Sequence, residues 1–434
     1  APQNTVNGRA LLLINPHTSF FFRSEQQVTS DEGLNAYGAA TWGQFFLYQG
    51  FNARVGWMHT TSGADVVDEF AETVAQRGDR AFYRVGGAER PMATRRITVP
   101  YRTPDGMASR TFTVYRTHHG PIVREADGKW IAVALMQKPV EALSQGFLRT
   151  KARDYATFRR ALEFRANSSN NTIYADADGV IAYFHPQFVP KRRDTVDRER
   201  PVDGSDPAND WQGVHGIEES PFLKNPATGW IQNTNNWPYS AAGSASPKRE
   251  AYPRYMDGVG ENPRGVHAVQ LLEGRRDFTL PGLIDAAYDP WMPAFAEMLP
   301  PLVAAWDRAA PSDTLRARLA EPIAALRAWD HRWGEQSVPT TLAIYWAEEL
   351  TQRGRQAASR AGMGADRWAV SGASDGERLA ALAAATERLT RDFGTWRTPW
   401  GEVNRFQRLT AAIAPRFDDA APSVPVGFTS ARWG

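Results

Sequence analysis

The feature that most constrains this chain is a change in hydrophobic period partway along it. Up to about residue 190, short apolar or alternating runs predict strands, at Arg9 to Ile14, Arg54 to Thr61, Arg96 to Tyr101, Arg110 to Tyr115, Trp130 to Leu135, Thr172 to Tyr174 and Val180 to Phe184. Apolar residues at helical spacing predict helices at Tyr155 to Phe164, Val266 to Leu272, Leu280 to Tyr288, Leu315 to Trp333, Thr340 to Leu350 and Glu377 to Phe393. A strand-rich part is therefore followed by a helical lobe.

Composition narrows the class of protein further. The 434 residues are 42% hydrophobic, enough for one large folding unit with a subsidiary lobe. Lys plus Arg is 50 and Asp plus Glu is 48, so charge gives no reason to expect a nucleic-acid or membrane partner. Cys is 0, which excludes disulfides, thiolate catalysis and Cys-bound metals. No apolar run approaches the roughly 20 residues that a membrane helix needs.

Two further patterns mark local structure. Asp176 to Gly179 reads as a turn, so Thr172 to Phe184 is predicted to be one hairpin. The segments from Lys191 to Asp210 and from Ser240 to Pro263 are charged or rich in Ser, Gly and Pro, which is typical of long surface connections.

Three short motifs carry alternative interpretations. Gly372 to Gly376 has the Gly-x-Ser-x-Gly form of a nucleophile elbow, but all 8 His precede Ser374, so a loop that caps the next helix is the better account. His118 and His119 are adjacent on an expected strand, so they should point to opposite faces, be unable to chelate one ion together, and be structural. Asp65 to Asp68 offers oxygen ligands to a hard cation, or is a solvated turn.

Polar residues in two separate segments suggest a reaction site only when they are taken together. His17 alone would be a packed or loop histidine, and Asn233, Asn235 and Asn236 alone would be turn formers. Amide side chains and backbone N–H groups are the donors that an acyl-transfer oxyanion requires. The chain begins with Ala1, which has no nucleophile, whereas an enzyme that uses its own first residue needs Ser, Thr or Cys there.

An ordered series of motifs resembles the heavy subunit of the penicillin acylase family of N-terminal nucleophile hydrolases. The series is the segment from Ala1 to Gly8 leading to Asn15-Pro16-His17, Gly50-Phe51-Asn52, Val55-Gly56-Trp57, Thr60 to Asp65, His119 to Val123, Tyr174-Ala175-Asp176, Val189 to Arg192 and Gln232 to Asn236. Each motif is weak alone, but their order and spacing over most of the chain match the family.

The resemblance implies a catalytic site. A terminal serine, with its own α-amine as base acting through water, would attack an amide carbonyl and form an acyl-enzyme. Asn235 would donate its side-chain amide to the oxyanion and Thr61 its backbone N–H. His17 would hold the serine or its water, and Arg264 would orient the asparagine and the substrate.

The same resemblance implies substrate and metal contacts. Thr60, Thr18 and Phe20 fall at the expected substrate pocket; Thr18 is smaller and more polar than the Phe or Leu of many relatives. The run Phe20 to Phe22 would wall an apolar pocket or, equally well, pack into the core. Asp65, Val67 and Asp68 fall where some members bind a structural Ca²⁺, with a further acid from the smaller subunit. No organic cofactor is implied.

The fold that the resemblance implies is α+β, a four-layer αββα sandwich of two antiparallel sheets with an inserted helical lobe. Residues 1–264 would form the sandwich core, 265–398 the helical lobe, and 399–434 a return to the core. The partners would be a light subunit from the same precursor and a small N-acyl amide. The expected location is periplasmic or secreted.

Two departures from the family leave alternatives open. The serine should stand roughly six residues before Ala1, and heavy subunits usually continue about a hundred residues past the equivalent of Gly434. Either the sequence is trimmed, which we favour because the other site positions are kept, or the chain is an inactive, acyl-ligand-binding relative. A serine hydrolase built on Ser374 is a third possibility.

Overall fold

The predicted change from strands to helices is present in the structure, a computed structural model that describes residues 1–19, 21–408 and 414–434. The chain forms two compact units: residues 1–260 with Arg276–Phe278, and residues 261–275 with 279–434. The first boundary falls close to the expected position 264. Residues 399–434, expected to return to the core of the first part, cluster with the helices.

The strands lie in the first unit, apart from two short ones near the end of the second. In chain order they are β1 (Arg23–Ser30), β2 (Leu34–Thr41), β3 (Gln49–Asn52), β4 (Val55–Thr61), β5 (Asp68–Glu72), β6 (Val74–Arg77), β7 (Arg80–Val85), β8 (Ala88–Pro91), β9 (Ala93–Thr103), β10 (Gly106–Arg116), β11 (Ile122–Ala126), β12 (Lys129–Ala134), β13 (Asn170–Asp176), β14 (Ile181–Phe184), β15 (Val202–Asp203), β16 (Phe222–Lys224), β17 (Arg405–Phe406) and β18 (Val424–Pro425).

The α-helices are two in the first unit and a larger group in the second. They are α1 (Pro139–Thr150), α2 (Tyr155–Leu162), α3 (Pro263–Leu272), α4 (Leu280–Ala287), α5 (Pro293–Arg308), α6 (Thr314–Arg318), α7 (Ala320–Arg327), α8 (Val338–Arg360), α9 (Ala365–Ser371), α10 (Asp375–Phe393) and α11 (Trp400–Val403). Within the described residues, no helix is both long enough and apolar enough to cross a membrane.

A sheet of seven described strands is the centre of the first unit. Its order is β1-β2-β3-β4-β13-β14-β16, and every neighbouring pair is antiparallel. Trp57, Tyr174 and Phe184 lie on one face and pack with Phe158 of α2. Ile173 and Tyr183 lie on the other face, because side chains alternate along a strand. Both faces of the sheet are therefore buried at β13 and β14, whose pairing confirms the predicted hairpin.

The remaining strands of the first unit form smaller sheets. Four strands run in the order β11-β12-β5-β15, and three form the meander β6-β7-β8. Among the described strands, β9 and β10 form a separate two-stranded ribbon, from Ala93↔Arg116 to Thr103↔Gly106. Most of that ribbon is exposed.

The strand predicted at Arg9 to Ile14 is wrong. Residues 10–19 have no regular secondary structure, and no described strand pairs with them. Leu12 instead packs on the cluster of Ile173, Tyr183 and Ala241. The apolar run is therefore used for side-chain packing on the sheet and not for a hydrogen-bonded ladder.

The second unit is built around α8, of which Leu342 to Ala347 are all buried. The single helix predicted from Leu315 to Trp333 is two helices, α6 and α7. The break has a direct cause: Pro322 has no N–H to donate to the carbonyl of Arg318. Helix α5 was not predicted because it contains Pro300 and Pro301, residues that normally indicate a helix end.

The packing of α9 on α8 depends on the absence of a side chain at Gly354. A Cβ atom at Gly354 would lie 1.9 Å from the Trp368 ring, whereas a Cβ at Gly376, in the first turn of α10, would meet nothing within 4 Å. We expect Gly354→Ala to lower the free energy of unfolding by about 1–3 kcal/mol through overpacking. Denaturant titration measures this change in the free energy of unfolding.

Gly376→Ala is the matched control. It adds the same methyl group to a helix of the same unit, and there it should raise stability by up to about 1 kcal/mol, because Ala loses less backbone entropy than Gly. Equal effects of the two substitutions would contradict the proposed contact with Trp368.

Candidate active site

The backbone N–H and C=O of Thr61, at the end of β4, face away from the neighbouring strand β13, and we call these two groups the Thr61 peptide edge. In the ladder with β13, Thr61 lies opposite Asn170 and Thr60 opposite Asn171. One residue further on, the Ser62 N–H donates to the Ser169 carbonyl at 2.8 Å. Hydrogen-bonded pairs alternate along an antiparallel ladder, so the N–H and C=O of Thr61 point away from β13. β3 pairs with β4 only near Trp57, so it does not cover this position.

Asn235 lies against that same edge. Its side-chain nitrogen donates to the Thr61 carbonyl oxygen at 3.2 Å. The structure therefore brings together the two residues that the sequence assigned to the oxyanion, the Asn235 amide and the Thr61 peptide. Their catalytic roles stay predictions.

The backbone of Asn235 is held in the left-handed region, with φ of +66°. Asn adopts that region more readily than most residues do. Two hydrogen bonds within the turn stabilise it: the Asn235 N–H donates to Asn233 Oδ1 at 3.0 Å, and Asn233 Nδ2 donates to the Asn236 carbonyl at 3.0 Å. The turn thus fixes the direction of the Asn235 side chain.

A buried polar network connects this turn to the sheet. Asn233 Oδ1 also accepts from the Thr60 hydroxyl and, at 3.3 Å, from Asn171 Nδ2. Asn171 Oδ1 in turn accepts from the Tyr183 hydroxyl at 2.7 Å. Thr60 was assigned to the substrate pocket, but its hydroxyl is buried and bonded to Asn233. In this structure it supports the turn.

Burial fixes the protonation states at the base of the network. It raises the pKa of Tyr183 well above its usual value, so the hydroxyl remains a donor. It also lowers the pKa of His185 to about 3, which keeps that imidazole neutral near pH 7. His185 Nε2 lies 2.8 Å from the Met256 carbonyl, to which a neutral ring can donate. The network keeps one arrangement of donors around neutral pH.

His17 and Thr18 are exposed and lie in the irregular segment that follows Leu12. The role of His17 beside the nucleophile stays a prediction. Phe20, assigned to the substrate pocket, lies outside the described residues.

Arg264 belongs to the second unit, in the first turn of α3. The helix begins after Asn262, whose side chain accepts from the Gly265 N–H at 3.0 Å. Burial lowers the pKa of Arg264 from its ordinary value. Its predicted role toward Asn235 stays a prediction.

The carboxylates predicted to hold a metal are bound by arginines. Arg192 reaches Asp65 Oδ2 and Asp68 Oδ1, each at 2.6 Å, and Arg198 reaches Asp68 Oδ2 at 3.0 Å. The Asp68 and Arg192 side chains are almost completely buried, so Asp68 is not in a solvated turn. Trp211 Nε1 donates to Asp68 Oδ2 at 2.5 Å.

The arginine contacts on these carboxylates compete with a calcium ion, and the calcium site stays a prediction. Calcium needs six to eight oxygen ligands, and here both carboxylates of the predicted set of Asp65, Val67 and Asp68 already contact the Arg192 guanidinium. A cation on those oxygens would have to displace Arg192.

Ser374 acts as a helix cap. The Glu377 N–H donates to Ser374 Oγ at 3.3 Å and the Ser374 N–H donates to Glu377 Oε2 at 2.7 Å, which is a capping box at the start of α10. The Ser374 hydroxyl also donates to Glu377 Oε2, at 2.7 Å. The capping interpretation is confirmed. The Ser374 hydroxyl is therefore hydrogen-bonded at the start of α10.

The expectation that His118 and His119 point to opposite faces is wrong. They lie in the turn between β10 and β11, where the two-residue alternation of a strand does not apply, and their ring centroids are 3.8 Å apart. Sequence reasoning also missed Asn171, Tyr183 and His185. The only signal for Asn171 was a polar run, Ser168 to Asn171, directly before the strand predicted from Thr172.

Comparison with known proteins identifies the family of the chain. A family model described as penicillin amidase matches residues 1–427. The chain is 32% identical over 196 residues to penicillin G acylase of Escherichia coli, which covers 44% of this chain and 22% of that protein. It is 27% identical over 248 residues to the acyl-homoserine lactone acylase QuiP of Pseudomonas fluorescens, covering 54% of this chain and 29% of the relative. The chain thus matches less than a third of the length of these two relatives.

A solved structure shows the same fold. A thermostable penicillin G acylase from Alcaligenes faecalis matches with a TM-score of 0.67 and 20% identity, over 87% of this chain and 74% of the other. The α+β class, with antiparallel sheets in the fold of the N-terminal nucleophile hydrolases, is therefore confirmed. The chain belongs to the penicillin amidase family, as the ordered motifs indicated.

The buried arginine pair gives a stability prediction. Arg192→Ala leaves the Asp68 carboxylate buried with one of its two guanidinium partners, and removing one member of a buried pair costs about 3–5 kcal/mol. We expect a loss of about 3 kcal/mol in the free energy of unfolding, measured by denaturant titration.

The neighbouring Arg193→Ala is the control. The Arg193 side chain is 46% exposed and its ion pair with Asp206 is 3.7 Å long, so its removal should cost less than about 1 kcal/mol. A loss at position 192 no larger than that at 193 would show that the buried pair does not stabilise the fold.

Proposed function

We propose that the protein containing this chain hydrolyses a linear amide, releasing an acyl group from a small amine such as a β-lactam nucleus or a homoserine lactone. The observation that carries the proposal is the placement of the Asn235 amide against the Thr61 peptide edge. Family membership supports the reaction class, and the named activities of the penicillin and acyl-homoserine lactone acylases support the substrate class.

The proposed reaction starts from a serine upstream of Ala1. Its α-amine takes the hydroxyl proton through water, and Oγ attacks the amide carbonyl carbon. The oxyanion that forms accepts hydrogen bonds from the Asn235 side chain and the Thr61 N–H. When the intermediate collapses, the C–N bond breaks, the amine leaves with the proton, and the acyl group remains on Oγ. Water then attacks the ester, and the acid is released.

The site residues of this chain have separate roles in the proposed reaction. Asn235 and Thr61 stabilise charge, His17 holds the serine or its water, and Arg264 orients substrate. Asn233 and Asn171 are positioning residues, because they touch the turn that carries Asn235. A light subunit from the same precursor would complete the enzyme, and a periplasmic or secreted location follows from the family's usual export.

Two rival functions remain distinct from this one. A serine hydrolase based on Ser374 is disfavoured by the capping box that holds its hydroxyl. A non-catalytic protein that binds acyl ligands would keep the turn and the sheet edge but lack the serine.

The oxyanion assignment predicts the effect of removing the amide. Asn235→Ala should lower kcat by about 10²–10³-fold, because the loss of one oxyanion donor costs roughly 3 kcal/mol. Hydrolysis of penicillin G and of an N-acyl homoserine lactone is to be measured, and the faster substrate used for kinetics. KM should change much less than kcat, since the bond is made chiefly in the transition state.

Two controls separate chemistry from folding. Asn225 also has a positive φ, +48°, and its Oδ1 accepts from the Ile181 N–H at 3.0 Å. Asn225→Ala therefore removes a similar turn residue outside the site and should keep near-normal kcat. Ser374→Ala should do the same, with only the cost of a lost helix cap. Full activity of Asn235→Ala would disprove the assignment, and loss of activity in Ser374→Ala would favour the rival hydrolase.

The identity of the nucleophile is testable on the native protein. N-terminal sequencing and intact mass of the mature subunit should give Ser as its first residue, roughly six positions before Ala1, since only a terminal Ser, Thr or Cys supplies both nucleophile and base. A native subunit without such a residue would favour the acyl-binding alternative.

A further inference from the structure

A second cluster of chemically active side chains lies in the first unit and contains none of the residues assigned to amide hydrolysis. It consists of Glu72 at the end of β5, His118 and His119 in the turn after β10, and Asp210 in the connection between β15 and β16. Ligand atoms of His118, His119 and Asp210 all lie within 4.8 Å of one another.

The Nδ1 atoms of both histidines are held by partners behind them. His119 Nδ1 lies 2.8 Å from Glu72 Oε1, and His118 Nδ1 lies 3.2 Å from the Tyr83 hydroxyl. The Nε2 atoms of both rings consequently face one carboxylate. His119 Nε2 is 2.9 Å from Asp210 Oδ1, and His118 Nε2 is 3.5 Å from Asp210 Oδ2.

The count of hydrogen-bond donors and acceptors around His119 indicates that a positive charge lies between His119 Nε2 and Asp210. A neutral imidazole has one N–H, and if Glu72 accepts it, the lone pair on His119 Nε2 faces the lone pairs of Asp210. That contact is repulsive unless a proton or a metal ion lies between the two atoms. Metal-binding histidines characteristically donate their other N–H to a carboxylate, as His119 can to Glu72.

We propose that Nε2 of His118, Nε2 of His119 and the carboxylate of Asp210 bind a divalent transition-metal ion of the zinc class. Two imidazoles and one carboxylate are suitable ligands for zinc. Ligand atoms about 2.1 Å from a tetrahedral ion lie about 3.4 Å apart. His118 Nε2 and Asp210 Oδ2 are 3.5 Å apart, whereas His119 Nε2 and Asp210 Oδ1, at 2.9 Å, would have to separate slightly to admit the ion. Three protein ligands leave a fourth position for water.

The surroundings hold the ligands in place and leave a path for the ion. The Phe70 ring stacks on His119 at 3.7 Å, and the Thr117 hydroxyl donates to Glu72 Oε1 at 2.7 Å. The His118 and Asp210 side chains are 29% and 33% exposed, so solvent reaches the site.

Zinc binding to the purified protein tests the proposal. After chelation and dialysis, titration with ZnCl₂ should show one ion bound per chain. Co²⁺ should bind at the same site and give the intense visible bands of a tetrahedral complex. His118→Ala should weaken binding at least tenfold, and Glu72→Gln, which keeps all three ligands, should weaken it by about 10–100-fold.

His331→Asn is the matched control. His331 lies in the second unit with φ of +61°, a conformation that Asn tolerates, and should have no effect on binding. Unchanged zinc affinity in His118→Ala, or no bound ion in the unmodified protein, would overturn the proposal and leave a proton between His119 and Asp210. The Co²⁺ spectrum of the unmodified protein does not depend on the folding of any variant.

Discussion

The buried side chain of Asn233 is the interaction on which the candidate active site depends. Its Oδ1 accepts from Thr60, Asn171 and the Asn235 N–H, and its Nδ2 donates to the Asn236 carbonyl. A buried amide with this many partners has one orientation, since rotating it would leave several polar groups unsatisfied at about 1–3 kcal/mol each. The turn and the central sheet are thereby fixed relative to each other, and the direction of the Asn235 amide follows from that.

The hairpin from Thr172 to Phe184 and most of the helices could be predicted, because periodicity and turn residues are local signals. The error at Arg9 to Ile14 has a different origin. An apolar run specifies that side chains will be buried, but only a partner strand makes it part of a sheet, and partners are distant in sequence. Helix α5 was missed for the opposite reason, since tertiary packing kept a helix that Pro300 and Pro301 argued against.

The candidate site shows the same limit. The positions of Asn235 and Thr61 could be proposed from resemblance, but the residues that hold them, Asn171 and Tyr183, looked like ordinary strand residues. His118 and His119 were misjudged because a turn replaced the expected strand. At Asp65 and Asp68 the sequence showed two acids, and only the structure brought Arg192 and Arg198 to them. Partners from remote segments decide what a polar side chain can do.

The pairing of β4 with β13 also has a consequence for how the chain acquires its structure during synthesis. Thr60 and Asn170, which bond across this pair, are 110 residues apart, and the four-stranded and three-stranded sheets draw most of their strands from the intervening sequence. At roughly 5–20 residues per second, a ribosome needs about 5–20 s to make that segment. Until then the unpaired edge of β4 is open to wrong partners, so the smaller sheets are made while the central one is still incomplete.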